Sequence, residues 1–172
     1  MKSIFVARML ATLAIFLSIV SMATAQQSSS CQREERPDPP RFVYRCANGL
    51  VLEAEAAAQL GIPQDAGRTR AASATVSDKA VLIEVEPGSG AFQILTPHAI
   101  AAVRGTAYVV DVTADTTSVF VIEGEVSVSL PDGSQTVVLG PGEGTDATAG
   151  QPLVSRVWGQ ERAARLMARF AR

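Results

Sequence analysis

The sequence predicts an all-β fold, a sandwich, roll or barrel of short strands, with one C-terminal amphipathic helix. Three observations predict it. From Val81 to Leu139, apolar and polar residues alternate in short runs, the period of half-buried strands. Turn signals punctuate the chain, at Asn48-Gly49, "EPGSG" (86–90), "PDGS" (131–134) and "GPGEG" (140–144). After residue 158 the apolar spacing changes to that of a helix.

The chain opens with "MKSIFVARMLATLAIFLSIVSMATAQQ". Lys2 and Arg8 precede the apolar stretch Met9–Ala23, and no acid occurs before Glu34. Ala23-Thr24-Ala25 has the small-x-small form of a secretory cleavage site. Residues 1–25 are read as a signal peptide, cut between Ala25 and Gln26. An uncleaved membrane anchor is the competing reading, but a spanning helix wants roughly 20 apolar residues. A lipid anchor on Cys31 is a third, although Ser28-Ser29-Ser30 lacks the Leu-x-small pattern such anchors need.

Cleavage leaves 13 basic against 17 acidic residues, a net charge of −4. Such a chain has no dense basic footprint for nucleic acid. The two cysteines, Cys31 and Cys46, are expected to form a disulfide in an oxidising compartment. The closed loop is worth roughly 3 kcal/mol on the loop-entropy model. Metal ligation is the alternative, but one histidine in the whole chain argues against a four-ligand zinc site.

The elements follow in order. Residues 26–40 are charged and proline-rich and read as a polar linker, tied by the disulfide to the first strand. A β domain is expected over 41–150. "RFVYRCANGLVLEAEA" reads as a hairpin, with Phe42, Tyr44 and Cys46 on one face, an Asn48-Gly49 turn, and Leu50, Leu52 and Ala54 on the return. "EAEAAAQLG" has the propensity for one helical turn before Gly61. "IPQDAGRTRAASATVSDKA" reads as an exposed loop with a short strand at most. Strands are expected around Val81–Val85, Phe92–Leu95, Tyr108–Val112, Val119–Ile122, Val126–Leu130 and Val137–Leu139.

Arg104-Gly105-Thr106 interrupts an apolar run. A straight strand would put Arg104 on the face of Tyr108, Val110 and Val112. A bulge at Gly105 reverses the parity, joins Ala101 and Val103 to that face and turns Arg104 outward. Arg104 is then expected to bond neighbouring carbonyls or a carboxylate such as Asp111.

Residues 151–172 are expected to form the C-terminal helix. Ala163, Leu166, Met167 and Phe170 share one face, with Trp158 near its start. Arg162, Arg165, Arg169 and Arg172 fall on another. The plain reading packs the apolar face on the β domain and leaves the arginines in water. The sharper reading makes the arginines a surface for an acidic partner or anionic headgroups. Enzymatic signals are weak. His98 is the lone histidine, no Ser–His–Asp set stands out, and Glu84/Glu86 and Glu123/Glu125 read as solvated strand residues. No catalytic residue, cofactor or metal is assigned.

The stretch from Phe92 to Gly144 resembles the FecR protein domain, the periplasmic domain of iron-dicitrate-type regulators. The resemblance is carried by Thr96-Pro97, Ala101, Val103-Arg104-Gly105-Thr106, the "VIEGEVSV" turn with Gly124, and "GPGE" with Gly142 and Glu143. It covers about residues 80–145 well. Family members typically join a sigma-factor-binding cytoplasmic segment to the β domain through a membrane helix. Only eight residues precede the apolar run here. The resemblance therefore implies a stand-alone exported form in the periplasm, without a sigma factor as partner. It implies recognition of a periplasmic or envelope protein in signalling. Membrane contact is expected only through an uncleaved leader or the arginine stripe. The rival is a cupin-like jelly roll binding a small molecule or glycan. A metal-holding cupin needs several histidines, and a sugar site needs aromatics that the core also requires.

Export with processing is directly measurable. Mass spectrometry of the protein from its native host should find an N-terminus at Gln26 or within a few residues of it. A full-length chain held in the inner membrane would contradict the leader assignment.

Overall fold

The computed structural model describes residues 31–63 and 71–172. The predicted signal peptide and its Ala25–Gln26 cut lie outside them. Over these described residues the fold is all-β with one α-helix. Thirteen strands make a single sheet curled into two facing leaves.

The front leaf runs β1 (Cys31–Pro37), β2 (Pro40–Cys46), β3 (Leu50–Glu55), β5 (Ser73–Val85), β8 (Ala107–Val112), β9 (Thr116–Glu123), β12 (Glu143–Thr148) and β13 (Arg156–Val157). The back leaf runs β4 (Gln59–Gly61), the first half of β5, β6 (Phe92–Leu95), β7 (Ile100–Val103), β10 (Val126–Ser129) and β11 (Thr136–Leu139). All pairings are antiparallel except β5 with β6. The main core fills the space between the leaves. Leu50, Leu52, Ile83, Phe92, Ile94, Tyr108, Val110, Val121 and Leu139 are all fully buried there.

Several expectations are corrected by this arrangement. The second half of the polar linker is a strand. β1 pairs residue for residue with β2 from Cys31↔Cys46 to Pro37↔Pro40. Every β1 residue after Cys31 is exposed. A charged, proline-bearing segment can be ordered this way because an edge strand needs only one paired side. The Cys31–Cys46 disulfide is formed and closes the hairpin's open end. Arg33 lies over the Phe42 ring at 3.8 Å.

The β2–β3 hairpin is present, but its connection is a 3-10 turn over Ala47–Gly49, not a two-residue turn. The helical turn expected before Gly61 is absent. The Ala56–Ala58 turn closes on the Glu55 carbonyl, and β4 follows directly. Three alanines are too few to nucleate a helix against two competing strands.

The largest correction is β5. It takes in residues 73–80 of the stretch that reads as a loop and runs on to Val85. Ala74 and Val76 are buried while Thr75 and Ser77 are exposed, so the first half has strand period after all. The signal breaks at Asp78-Lys79, where Lys79 takes φ +65. There the strand leaves the back leaf, where it pairs β4 as far as Asp78, and enters the front leaf, where it pairs β8 from Lys79 onward.

Arg104-Gly105-Thr106 is likewise a crossing between leaves. β7 pairs in the back leaf and β8 in the front leaf. Ala101 and Val103 enter the same core as Tyr108 and Val110, while Arg104 is exposed. The extra residue sits one step on. Ala107 pairs Glu123 and Tyr108 pairs Val121, which leaves Ile122 as the bulge. Gly105 has φ +71, and a Cβ there would stand 2.7 Å from Pro87 Cα. Gly124 makes the return crossing from β9 to β10 with φ +81. A Cβ there would lie 2.7 Å from Thr106 Cγ2 and 2.9 Å from the Gly105 carbonyl.

The C-terminal helix is shorter than expected. α1 spans Gln160–Ala168, and residues 151–157 are extended, ending in β13. Pro152 and the glycines at 150 and 159 interrupt any longer helix.

Gly105→Val should lower stability by about 3 kcal/mol, since it combines a left-handed backbone with a clash against Pro87. Gly133 also has φ +72, but open space surrounds its Cβ position. Gly133→Ala should therefore cost only about 1 kcal/mol, and Arg104→Ala less than about 0.5 kcal/mol. Urea unfolding midpoints give the ranking. Equal midpoints for Gly105→Val and Gly133→Ala would contradict the crossing geometry.

Candidate functional site

The family-motif residues are spread along the leaf crossings and turns. Thr96 caps the turn before β7. Its Oγ1 accepts the Ala99 N–H at 2.9 Å and lies 2.8 Å from Thr117 Oγ1, with Pro97 in the turn it closes. His98 Nδ1 lies 3.2 Å from the same threonine hydroxyl. Thr106 is buried beneath Gly124. Gly142 turns the chain from β11 to β12 with φ +79. The Glu143 carboxylate accepts the Gly140 N–H at 2.7 Å and fastens that turn. These residues shape the sheet and do not converge on one cleft. Among the described residues, no group of three or more His, Cys, Asp or Glu side chains could hold a metal ion.

What converges is α1 and the outer face of the front leaf. Leu166 and Phe170 bury themselves on Ala80, Leu82, Val109 and Phe120, with Ala163, Met167 and Trp158 packed around them. This second core is why β5 and β8 are apolar on both faces. It lies outside the sandwich; α1 supplies Ala163, Leu166 and Met167 to it, while Phe170, expected on the helix, joins from the turn past its end.

Three of the four arginines pair with carboxylates of the β domain, which corrects the plain reading. Arg169 Nε donates to Glu55 Oε1 at 2.8 Å, and its Nη1 donates to Asp111 Oδ2 at 2.6 Å. Arg172 donates to Glu84 Oε1 at 2.6 Å and to Glu53 Oε1 at 3.1 Å. Arg162 donates to Asp146 Oδ2 at 3.0 Å. Only Arg165 keeps to the helix, pairing with Glu161, with 65% of its side chain exposed. Asp111 thus serves Arg169, not Arg104. Glu84, read as solvated, is a ligand of Arg172. Long arginine stems allow this, because they cross apolar surface while the head reaches a carboxylate beside it.

Trp158 completes the site. It stacks on Phe120 with centroids 5.0 Å apart, and Arg162 Cζ lies 3.4 Å from the indole centroid. A Cβ on Gly144 would stand 2.4 Å from the indole, so only glycine admits it. Beside it runs a groove of about 350 Å³ between β12 and residues 151–157, lined by Asp146, Val154, Arg156, Val157, Trp158 and Arg162.

The electrostatics follow from these contacts. Burial alone would raise the Glu55 carboxyl, but Arg169 and the Ala80 N–H outweigh it and hold it below its ordinary value. Burial also works to raise Asp146, and bonds from Arg162 and Ser118 bring it down. The Glu55 bond, helped by Asp111 and opposed by burial, raises Arg169.

Glu53, Glu55 and Asp146 are missed by reading the sequence, and Asp111 is read there as a partner of Arg104 and not of Arg169. Their one signal is parity: Glu53 and Glu55 lie two apart on a strand, hence on one face. No spacing brings β3, β8 and β12 together.

Residues 43–127 match the family model of the FecR protein. No curated protein matches the chain significantly. Two solved structures titled "putative anti-sigma factor", from Parabacteroides distasonis ATCC 8503, share its fold. Both are 16% identical, with TM-scores of 0.56 and 0.50. The alignments cover 78% of this chain and 58% of theirs, so it spans under two thirds of their length.

Helix docking should be ionic and apolar together. Phe170 is 1% exposed, so Phe170→Ala should cost about 3–5 kcal/mol. Arg169→Ala should cost about 1–3 kcal/mol, between the values for exposed and buried pairs. Arg165→Ala should cost less than about 0.5 kcal/mol. Because the Glu55 and Asp146 pKa values are lowered on folding, their contribution is complete above the ordinary carboxylate range near pH 4. It is lost as pH falls through the lowered values. Amide exchange of residues 160–170 should therefore accelerate selectively below about pH 4, and docking insensitive to acid would contradict the ion pairs.

Proposed function

We propose, from the premise that the chain carries a FecR domain and so belongs to that family, that it is an exported, non-enzymatic recognition domain. It acts in the periplasm and binds a partner protein of the envelope in a signalling role. The observation that carries this reading is the family match over residues 43–127, which takes in both leaves and the crossings at Lys79, Gly105 and Gly124. The leader and the Cys31–Cys46 disulfide support an oxidising compartment. Among the described residues, no helix is long and apolar enough to cross a membrane.

A sigma factor is not assigned as the partner. The solved neighbours carry the anti-sigma name, but at 16% identity the likeness is one of fold. The alternative, a small-molecule or glycan-binding module, draws on the groove beside Trp158, whose volume suits a small ligand. Against it, Phe120 and Arg162 already occupy the indole, leaving less of it for a sugar to stack on.

The test is a pull-down from periplasmic extract with the chain from Gln26 onward, beside an unrelated exported β protein as control. A protein retained only by this chain, and reproduced with the purified pair, is the expected result. Retention of nothing beyond the control, together with binding to a glycan array, would replace this reading by the alternative.

A further inference from the structure

We propose that the outer face of the front leaf is a docking site for a basic amphipathic helix, with α1 as its resident and displaceable occupant. The partner class is then a protein presenting a helix with the same pattern of arginines beside an apolar stripe. This rests on the recognition role above and names what is recognised.

Two observations define the receiving face. An apolar strip of Ala80, Leu82, Val109 and Phe120 runs across it. Five carboxylates frame that strip, Glu53 and Glu55 from β3, Glu84 from β5, Asp111 from β8 and Asp146 from β12. Glu53 keeps Arg41 as a partner at 3.0 Å, but without α1 and the turn after it the other four acids would lose their arginines beside exposed hydrophobic surface. Such a face is complementary to a cationic amphipathic helix and to little else. α1 and the turn that follows it spell out the pattern the face accepts: Leu166 on the helix and Phe170 just past its end, flanked by Arg162, by Arg169 at the C-cap and by Arg172.

A third observation makes the occupant displaceable. α1 has nine residues, and Gly159 offers no side-chain cap. Helices of that length are marginal on their own. The main core is complete without it, since neither Leu166 nor Phe170 belongs to it. The helix is therefore a local unit that can open while the sandwich stays folded. A partner helix must outcompete it, and anything that weakens α1 raises the partner's apparent affinity by the fraction of open face it creates.

The probe is a fluorescein-labelled synthetic peptide of residues 156–172, titrated into the whole chain and followed by anisotropy. Wild type should bind it weakly. Leu166→Ala and Arg169→Ala chains should bind it about tenfold more tightly. A peptide with Glu at 162, 169 and 172 should bind none of them. Amide protection of β8 and β9 in each variant establishes that the sandwich is intact, and Arg169→Ala serves alone if Leu166→Ala loses it. Equal affinity for wild type and variants, no binding to any chain, or equal binding of the charge-reversed peptide would each overturn the proposal. If the pull-down partner is still retained when the peptide fails, recognition stands and this docking face falls. If the peptide binds as expected while the pull-down retains nothing, the recognition reading falls instead.

Discussion

At Gly105 and Gly124 the backbone takes φ values of +71° and +81°, and neither position has room for a Cβ. The two glycines touch through Gly105's carbonyl and Thr106, with Pro87 closing the other side. Val85 donates its N–H to the Thr106 carbonyl at 2.8 Å and so ties β5 to the same corner. β7 and β10 reach the back leaf only because β8 and β9 can leave the front leaf there. If either crossing straightened, the parity of the strands beyond it would reverse, and the core residues on them would face water.

The crossings also explain where the helix sits. Once the leaves close on each other, the inner faces of β5, β8 and β9 are consumed by the main core. Their outer faces remain apolar at Ala80, Leu82, Val109 and Phe120, and something must cover them. α1 and the turn after it cover them with Leu166 and Phe170, and Arg162, Arg169 and Arg172 secure the flank. Glu55 links the two layers, because its carboxylate takes both Arg169 and the Ala80 N–H. Ala80 directly follows the Lys79 kink, so the helix is anchored at the point where β5 changes leaf.

A recognition role fits this division of labour. The rigid part of the molecule is the sandwich, held by long-range strand pairing and one disulfide. The surface with the most pronounced chemistry is the acid-framed apolar face beneath a short helix. Binding energy can be drawn there from burial and from charge without disturbing the core. The neighbouring groove along β12 shares Trp158 and Arg162 with that face, so occupancy of one bears on the other.

The sequence by itself determined the all-β class, the Cys31–Cys46 pair, six of the strands between Val81 and Leu139, a kink at Gly105, and the apolar positions that cover the outer face; β12 and β13 were not legible in it. Apart from the cysteine pair, which follows from there being only two cysteines, each of these legible features is local. Alternation, a turn dipeptide or a helical period is visible within about ten residues. Only the tertiary structure decided the rest. β1 looks too charged and proline-rich to order itself, and its order comes from β2 and the disulfide. β5 hides because Lys79 breaks its period where it changes leaf. Arg169 reads as a solvated charge because Glu55 lies 114 residues away and Asp111 lies 58 residues away. The helical period gives the direction of a side chain around its own axis. Which carboxylates stand beside it is fixed by strand order, and strand order is a property of the closed sheet.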